Sequence, residues 1–177
     1  LCRYWDLAAT EPKPGTDPDW TAGALVGRTT DGTYGILDIR RLRGTPQTVE
    51  RVIRQTAQID RERYGFGVMV RMEQEPGASG VAGIDYYQRS VLQMYDFRGI
   101  KVSGPKEVRA NPLSAQAEAG NVWLLRGAWI QDWLDEAEAF PGGAHDDQVD
   151  AASGAYQEVA AHQPVRIFSL DEWADAE

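Results

Sequence analysis

A turn between two apolar segments constrains the fold of this chain most strongly. The turn reads Thr30-Asp31-Gly32-Thr33, and its Asp-Gly pair is typical of a tight β-hairpin. Residues 21–29 before the turn are largely apolar, and residues 34–42 after it alternate between apolar and polar side chains. A third apolar run, residues 2–9, is separated from them by a proline-rich loop at 10–20. The sequence therefore predicts three antiparallel strands, joined in order.

Helical and extended segments alternate after the hairpin. Thr45 is expected to cap a helix that begins at Pro46 and ends near Gly65. Further strands are predicted at 67–73, 100–104 and 121–125, and further helices at 81–98, 105–119, 128–140 and from residue 145 onwards. This order predicts an α/β domain built on a mixed sheet with helices on both faces.

Length and composition are those of one globular domain. The chain has 177 residues, of which 42% are hydrophobic, and this is enough to bury a sizeable core. We expect residues 1–162 to form the domain and residues 163–177, which contain Pro164 and several acids, to form an acidic tail or linker. The chain starts at Leu1 and enters a predicted strand almost at once, so we interpret it as one domain of a longer protein.

Residue usage argues against a membrane-spanning protein and against a protein stabilised by disulfides or by a cysteine-bound zinc. The sequence has no run of about 18 apolar residues, so no membrane span is predicted. Cys2 is the single cysteine, which excludes an internal disulfide framework or a cysteine-based zinc site and favours a reducing cytoplasm.

The net charge of −9, taken alone, argues against a nucleic-acid partner. However, the acids are concentrated in the tail from Asp171 to Glu177 and between residues 132 and 138. Basic residues form two separate groups, which are Arg40, Arg41 and Arg43, and Lys101, Lys106 and Arg109. An acidic domain with a locally basic face is therefore compatible with the composition.

Several acids occupy positions that do not suit a solvent-exposed role. Asp6 interrupts the first predicted strand, Glu73 closes the fourth, and Asp146 and Asp147 begin the last helix. Neighbouring strand ends in one sheet lie about 5 Å apart, and a helix N-terminus packed at the same edge can join them. Carboxylates gathered in this way repel each other unless a cation neutralises them. Oxygen ligands without cysteine favour Mg²⁺ or Mn²⁺, and two such ions about 4 Å apart could act on a phosphodiester.

A simpler interpretation exists for each residue alone. Asp6 could point to solvent from an edge strand, and Glu73 could simply begin a turn. Asp146 could be an N-cap residue, with Asp150 on the helix surface and His145 as a structural residue. Taken together, however, a strand acid, a strand-end acid and a pair at a helix start fit one site better than unrelated positions.

Four segments carry a resemblance to a known family. They are YWDLA at 4–8, RMEQEPGASG at 71–80, GPKEVRANPLSAQAEAGNVWLL at 104–125 and FPGGAHDDQVDAASGAY at 140–156. The chain resembles the C-terminal nuclease domain of a tailed-bacteriophage terminase large subunit, in the RNase H-like superfamily. The resemblance implies an RNase H-like mixed β-sheet whose first three strands are antiparallel. It also implies a divalent-metal-dependent DNA endonuclease that cuts double-stranded DNA when genome packaging begins and ends.

The resemblance also implies roles for individual residues. Asp6, Glu73 and Asp147 match the catalytic acids, and the same three with Asp146 are the expected ligands of two Mg²⁺ or Mn²⁺ ions. Supporting or alternative positions are Glu75, which competes with Glu73, together with His145 and Asp150. Lys106 and Arg109 are the expected DNA-binding residues.

The implied partners are double-stranded DNA, an N-terminal ATPase motor of the same full-length protein, the portal ring and the small terminase subunit. The implied location is the host cell cytoplasm, at the procapsid portal during packaging, with no membrane partner. This chain contains no GxxxxGK[ST] loop, so the motor is not part of it.

Two alternatives stay open. One is another RNase H-like enzyme, such as a junction resolvase or a transposase core. The other is a non-catalytic module that docks the motor onto the portal, which the net charge of −9 and the acidic tail would suit.

Overall fold

The computed structural model describes residues 1–8, 15 and 17–162, so the predicted tail at 163–177 lies outside the described residues. The described residues form six strands: β1 (Cys2–Asp6), β2 (Thr21–Arg28), β3 (Tyr34–Leu42), β4 (Met69–Gln74), β5 (Asp96–Lys101) and β6 (Val122–Leu124). The α-helices are α1 (Pro46–Tyr64), α2 (Ala78–Tyr86), α3 (Lys106–Glu118), α4 (Ile130–Ala139) and α5 (Asp147–Ala161). A π-helical segment, Tyr87–Val91, continues α2. None of the described helices is long and apolar enough to cross a membrane.

The six strands form one mixed sheet in the order β5-β4-β1-β2-β3-β6. Strands β1, β2 and β3 are antiparallel to their neighbours in sequence, as predicted, and the β2–β3 connection turns at Gly32 with a φ of 91°. Strand β4 adds in parallel to β1, β5 in parallel to β4, and β6 in parallel to β3. The C-terminal ends of β1, β3 and β4 therefore lie at the same end of the sheet.

Helices cover both faces of the sheet, which confirms the predicted architecture. The alternation of β1 shows how the faces are divided, since successive side chains of a strand point in opposite directions. Cys2 and Tyr4 pack in one buried cluster with residues of α3 and α5. Trp5 packs on the opposite side with residues of α1, among them Ile53. Each face thus has its own core, and Asp6 continues the face of Tyr4, towards α5.

A buried arginine fixes α5 against the sheet. Arg71 of β4 is 1% exposed, and its Nε donates to Glu158 of α5 at 3.0 Å. Its guanidinium also donates to the main-chain oxygen of Asp96 at 2.7 Å. A buried charge is tolerated only when it is paired and hydrogen-bonded, so this contact sets how α5 lies across β4 and β5.

The segment 81–98 differs from the predicted continuous helix. The helix ends in the π-helical turn, and β5 begins at Asp96 rather than at residue 100. Val91 and Leu92 are buried, and the chain then turns so that Phe97 can enter the same core while Asp96 and Arg98 face outwards. This alternation has the period of a strand, and it is too short to stand out against the helical pattern before it.

Candidate functional site

Two predicted acids meet at the C-terminal end of neighbouring parallel strands. Asp6 is the last residue of β1 and Glu73 is near the end of β4. The register pairs Trp5 with Met72, so Asp6 and Glu73 are the next residues along each strand and point to the same face. Both line a cleft of about 280 Å³, which Glu75 also lines.

The first turn of α5 faces this end of the sheet, and its amides are capped from another helix. Glu136 of α4 accepts hydrogen bonds from Gln148 N at 2.6 Å and Val149 N at 3.1 Å. The Gln148 side chain donates to the same carboxylate at 2.6 Å. Asp146 occupies the N-cap position, yet its side chain makes no capping hydrogen bond. The acids at the start of α5 are therefore not explained by the need to cap the helix.

Asp147 points into a small group of its own. Its side chain is 7% exposed and accepts a hydrogen bond from Trp20 N at 3.0 Å. Ligand-type atoms of Asp147, His145 and Asp19 all lie within 4.8 Å of one another. Burial raises the pKa of Asp147 above its ordinary value, although the bond from Trp20 N opposes this, and Asp19 adds to the rise. A cation between these groups would relieve the repulsion.

The remaining acids are paired with the two predicted DNA-binding residues. Lys106 Nζ lies 2.7 Å from Asp146 Oδ1 and 2.9 Å from Asp150 Oδ2. Arg109 lies 3.1 Å from Glu73 Oε2 and 3.1 Å from Asp150 Oδ1. Asp150 is almost fully buried, so it acts as the shared anchor of both cations. Burial alone would lower the pKa of Lys106, but its bonds to Asp146 and Asp150 raise that pKa above its usual value.

Asp6 lies where the negative charge converges. Burial raises the pKa of its carboxyl well above the usual range, and the charges of Glu73, Asp150 and Asp147 raise it further, whereas Lys106 lowers it. Lys106 and Arg109 supply two positive charges, fewer than the negative charges that Asp6, Glu73, Asp146 and Asp150 carry when all four are ionised. Carboxylate oxygens without a sulfur ligand are the donor set that Mg²⁺ and Mn²⁺ prefer. The residues present therefore fit a divalent cation beside Asp6.

The structure does not gather all the predicted ligands into one tight cluster. Glu73, Asp146 and Asp150 contact the two cations and Asp6 lies beside Glu73, whereas Asp147 lies with His145 and Asp19. Within residues 1–8, 15 and 17–162, this second group alone has three ligand atoms all within 4.8 Å. The assignment of Asp6, Glu73, Asp146 and Asp147 as metal ligands thus stays a prediction.

Sequence reasoning missed several residues of the site. Asp19 and Trp20 belong to a proline-rich loop, and nothing in a loop sequence indicates which distant residue it will contact. Arg43 was predicted only as a member of a basic group, but it lies 3.3 Å from His145 Nε2, and its ion-pair partner Asp17 lies 2.9 Å from the same nitrogen. Glu136 resembles any other helix acid in sequence, so its capping role is visible only in the structure.

Known proteins resemble this chain in sequence family and in fold. Residues 3–158 match the sequence family described as the terminase RNase H-like domain. The human cytomegalovirus terminase nuclease domain, in a manganese-soaked and inhibitor-bound structure, superposes with a TM-score of 0.65 at 13% identity, over 89% of this chain and 81% of that one. The yeast mitochondrial Holliday junction resolvase superposes with a TM-score of 0.50 at 12% identity, over 90% and 80% of the two chains. A comparison with curated protein sequences gives no match.

At these identities the two structural likenesses concern the fold, and they confirm the RNase H-like mixed sheet. The sequence match covers nearly the whole of the described domain, including β1, β4 and the start of α5, which carry the acids. The chain belongs to the terminase RNase H-like domain family, a family of nuclease domains.

Proposed function

We propose that this domain is the metal-dependent endonuclease of a viral DNA-packaging terminase and hydrolyses phosphodiester bonds of double-stranded DNA to generate genome ends. The observation that carries the proposal is the convergence of like charge on Asp6. This carboxylate ends β1 beside Glu73, and its pKa is raised by burial and then by the charges of Glu73, Asp150 and Asp147. Clustered carboxylates of this kind destabilise the fold unless a cation neutralises them. In a nuclease, that cation would also take part in hydrolysis of the phosphodiester.

We assign Asp6, Glu73, Asp146 and Asp147 as ligands of two Mg²⁺ or Mn²⁺ ions, with Glu75 and His145 as alternatives. When bound, such ions polarise the phosphodiester and activate a water molecule for attack. Lys106 and Arg109, which now balance the acids, would then be free for another role. Lys106 is half-exposed, so it can move from Asp146 to a DNA phosphate without breaking the core.

Asp150 is a positioning residue in this account. It is buried, and it lies against both Lys106 and Arg109. It would therefore keep Lys106 and Arg109 beside the acids while metal took their place on Asp146 and Glu73 and DNA phosphates bound the two freed basic groups.

The proposed partners are double-stranded DNA, the ATPase motor of the full-length terminase, the portal ring and the small terminase subunit, with the host cell cytoplasm at the procapsid portal as the location. The family match supports a DNA substrate and a larger terminase. The net charge of −9 implies weak DNA affinity for the domain alone, so the motor would supply most of the binding free energy for DNA.

Cleavage of supercoiled plasmid by the isolated domain, with EDTA, Mg²⁺ or Mn²⁺, tests the proposal. We expect nicked and linear products only with metal, and a loss of more than about 100-fold in Asp6→Asn, since residues that merely orient metal ligands already cost about 10–100-fold. Asp31→Asn is the matched control, because Asp31 is an exposed acid in the hairpin at the opposite end of the sheet. Equal activity in wild type and Asp6→Asn, or no cleavage with any divalent ion, would contradict the proposal.

Junction resolution is a second candidate function. It is suggested by the fold of the yeast junction resolvase, which superposes on 90% of this chain. A synthetic four-way junction and a linear duplex of the same sequence separate the two. A terminase nuclease cuts both at similar rates, whereas a resolvase cuts the junction alone.

A further inference from the structure

Two arginines flank the acid site on the side away from Lys106 and Arg109. The register places Ala22 of β2 opposite Asp6, and Arg41 of β3 opposite Ala22. Residues in one row point to the same face, so Arg41 faces the same side as Asp6, two strands away. At about 4.8 Å per strand, the two Cα atoms lie about 10 Å apart. Arg43 extends the same face just beyond the end of β3.

Trp20 holds both guanidinium groups. Arg43 Cζ lies 3.9 Å from the centre of the Trp20 ring, and Arg41 Cζ lies 4.8 Å from it. Contacts of this kind fix the direction of a long side chain before it binds anything. Because Trp20 N also donates to Asp147, the stack of Arg41, Trp20 and Arg43 is tied to the first turn of α5.

The ion pairs of these arginines are of a kind that a stronger anion can replace. Arg41 lies 2.6 Å from Asp132, and Arg43 lies 2.6 Å from Asp17. Both acids are more than half exposed, and such pairs contribute little in water. A phosphate offers a guanidinium two acceptor oxygens and more charge than one carboxylate. The two acids are thus partners that a DNA phosphate could displace.

We propose that Arg41 and Arg43, held on Trp20, bind phosphates of the DNA strand that crosses the cleft, on the β3 side of the cut. Lys106 and Arg109 bind the backbone on the β4 side. Because the Cα atoms of Arg41 and Asp6 are about 10 Å apart, the stack contacts the strand within a few nucleotides of the scissile phosphate. Asp17 and Asp132 compete with DNA for the same guanidinium groups. This inference rests on the proposed nuclease function for its substrate.

Binding of a fluorescent 30-base-pair duplex, followed by anisotropy in EDTA over a range of salt concentrations, tests the inference without any cleavage. We expect the double variant Arg41→Gln/Arg43→Gln to bind at least about 10-fold more weakly. The slope of log K against log salt should fall by about 0.9 for each phosphate that the variant no longer binds. Arg28→Gln is the matched control, since Arg28 also lies over an aromatic ring, that of Tyr34 at 5.8 Å, but at the other end of the sheet. It should leave both quantities unchanged.

The two exposed acids give an independent test that does not depend on the stability of the double variant. Asp132→Asn and Asp17→Asn should each tighten DNA binding by about 2–5-fold, because each removes one competing negative charge. An unchanged affinity and salt slope in the double arginine variant would overturn the inference, as would equal losses of affinity in the double variant and Arg28→Gln. Weaker binding in Asp132→Asn would also overturn it. If the domain does not cleave plasmid but these binding results are obtained, the nuclease proposal is wrong and the assignment of Arg41 and Arg43 as DNA-binding residues is still supported.

Discussion

Replacing Glu136 should affect both the stability of the fold and the metal site, although the residue is not a proposed ligand. Its carboxylate is buried, with the residue 8% exposed. It accepts from two main-chain amides at the start of α5 and from the Gln148 side chain. The first amides of a helix have no partner within the helix, so Glu136 is what satisfies them here.

The expected cost follows from the two main-chain bonds, since the Gln148 side chain also donates to Asp132 O at 3.3 Å. Glu136→Ala leaves two buried amides without an acceptor, at about 1–3 kcal/mol each. Water entering the vacated space recovers part of this, so we expect the free energy of unfolding to fall by about 3 kcal/mol. Glu136→Gln keeps an acceptor but removes a negative charge at a helix N-terminus, which is worth about 0.3–2 kcal/mol. It also turns an NH₂ group towards the Gln148 NH₂, so the expected destabilisation is about 1–2 kcal/mol.

Urea unfolding in EDTA, followed by circular dichroism, measures these changes in stability. Asp135→Ala is the control, since Asp135 is the exposed neighbour on the same helix and surface changes typically stay within about 0.5 kcal/mol. Calorimetric titration with Mn²⁺ should also show about 10-fold weaker binding in Glu136→Gln, because residues that orient metal ligands have effects of this size. If Glu136→Ala costs no more than Asp135→Ala, the capping argument is wrong. An unaltered Mn²⁺ affinity in Glu136→Gln would show that the capping of α5 by Glu136 does not orient the metal ligands.

Two further predictions concern the acids themselves. The raised pKa of Asp6 means that its folded form binds a proton more tightly than the unfolded chain, whose aspartates titrate near about 3.9. The stability that Asp6 contributes is complete below the unfolded-state pKa and is lost as the pH rises through its folded-state pKa. Urea midpoints measured in EDTA should therefore fall over this pH range in the wild type and fall less in Asp6→Asn. Parallel curves for the two proteins would show that the pKa of Asp6 is not raised. In plasmid cleavage with Mn²⁺, Asp147→Asn should abolish activity, Asp146→Asn should reduce it with partial rescue at high Mn²⁺, and Asp150→Asn should act mainly by lowering stability. Near-normal activity in Asp147→Asn beside loss of activity in Asp146→Asn would place the essential acid one residue earlier.

The parts of the fold that local pattern determines were predictable. The Asp-Gly turn and the alternation of residues 34–42 are short-range signals, and they located the β2–β3 hairpin. The positions of Asp6 and Glu73 at strand ends were also predicted, but the parallel pairing of β1 with β4 that makes them neighbours is seen only in the structure. The helix predicted for residues 81–98 is wrong in its second half, because β5 begins at Asp96. Only residues 96–98 of the predicted helix show the alternation of a strand, which is too short a signal to outweigh the helical pattern before it.

Contacts between distant segments could not be predicted. Trp20 and Asp147 are 127 residues apart in sequence, and the loop that carries Trp20 has no periodicity to orient it. Glu136 and Gln148 belong to different helices, and their pairing depends on how α4 and α5 pack. The partial neutralisation of the acids by Lys106 and Arg109 likewise follows from the packing of α3 beside α5.

The central claim is that the carboxylates around Asp6 hold divalent metal. Crystals of the domain soaked in Mn²⁺, with anomalous scattering recorded at the manganese edge, test it most directly, with crystals of Asp6→Asn as the control. We expect an anomalous peak within coordinating distance of Asp6 in the wild type, accompanied by movement of Lys106 away from Asp146, and no such peak in Asp6→Asn. A peak confined to Asp19, His145 and Asp147 in both proteins, or no peak at all, would contradict it.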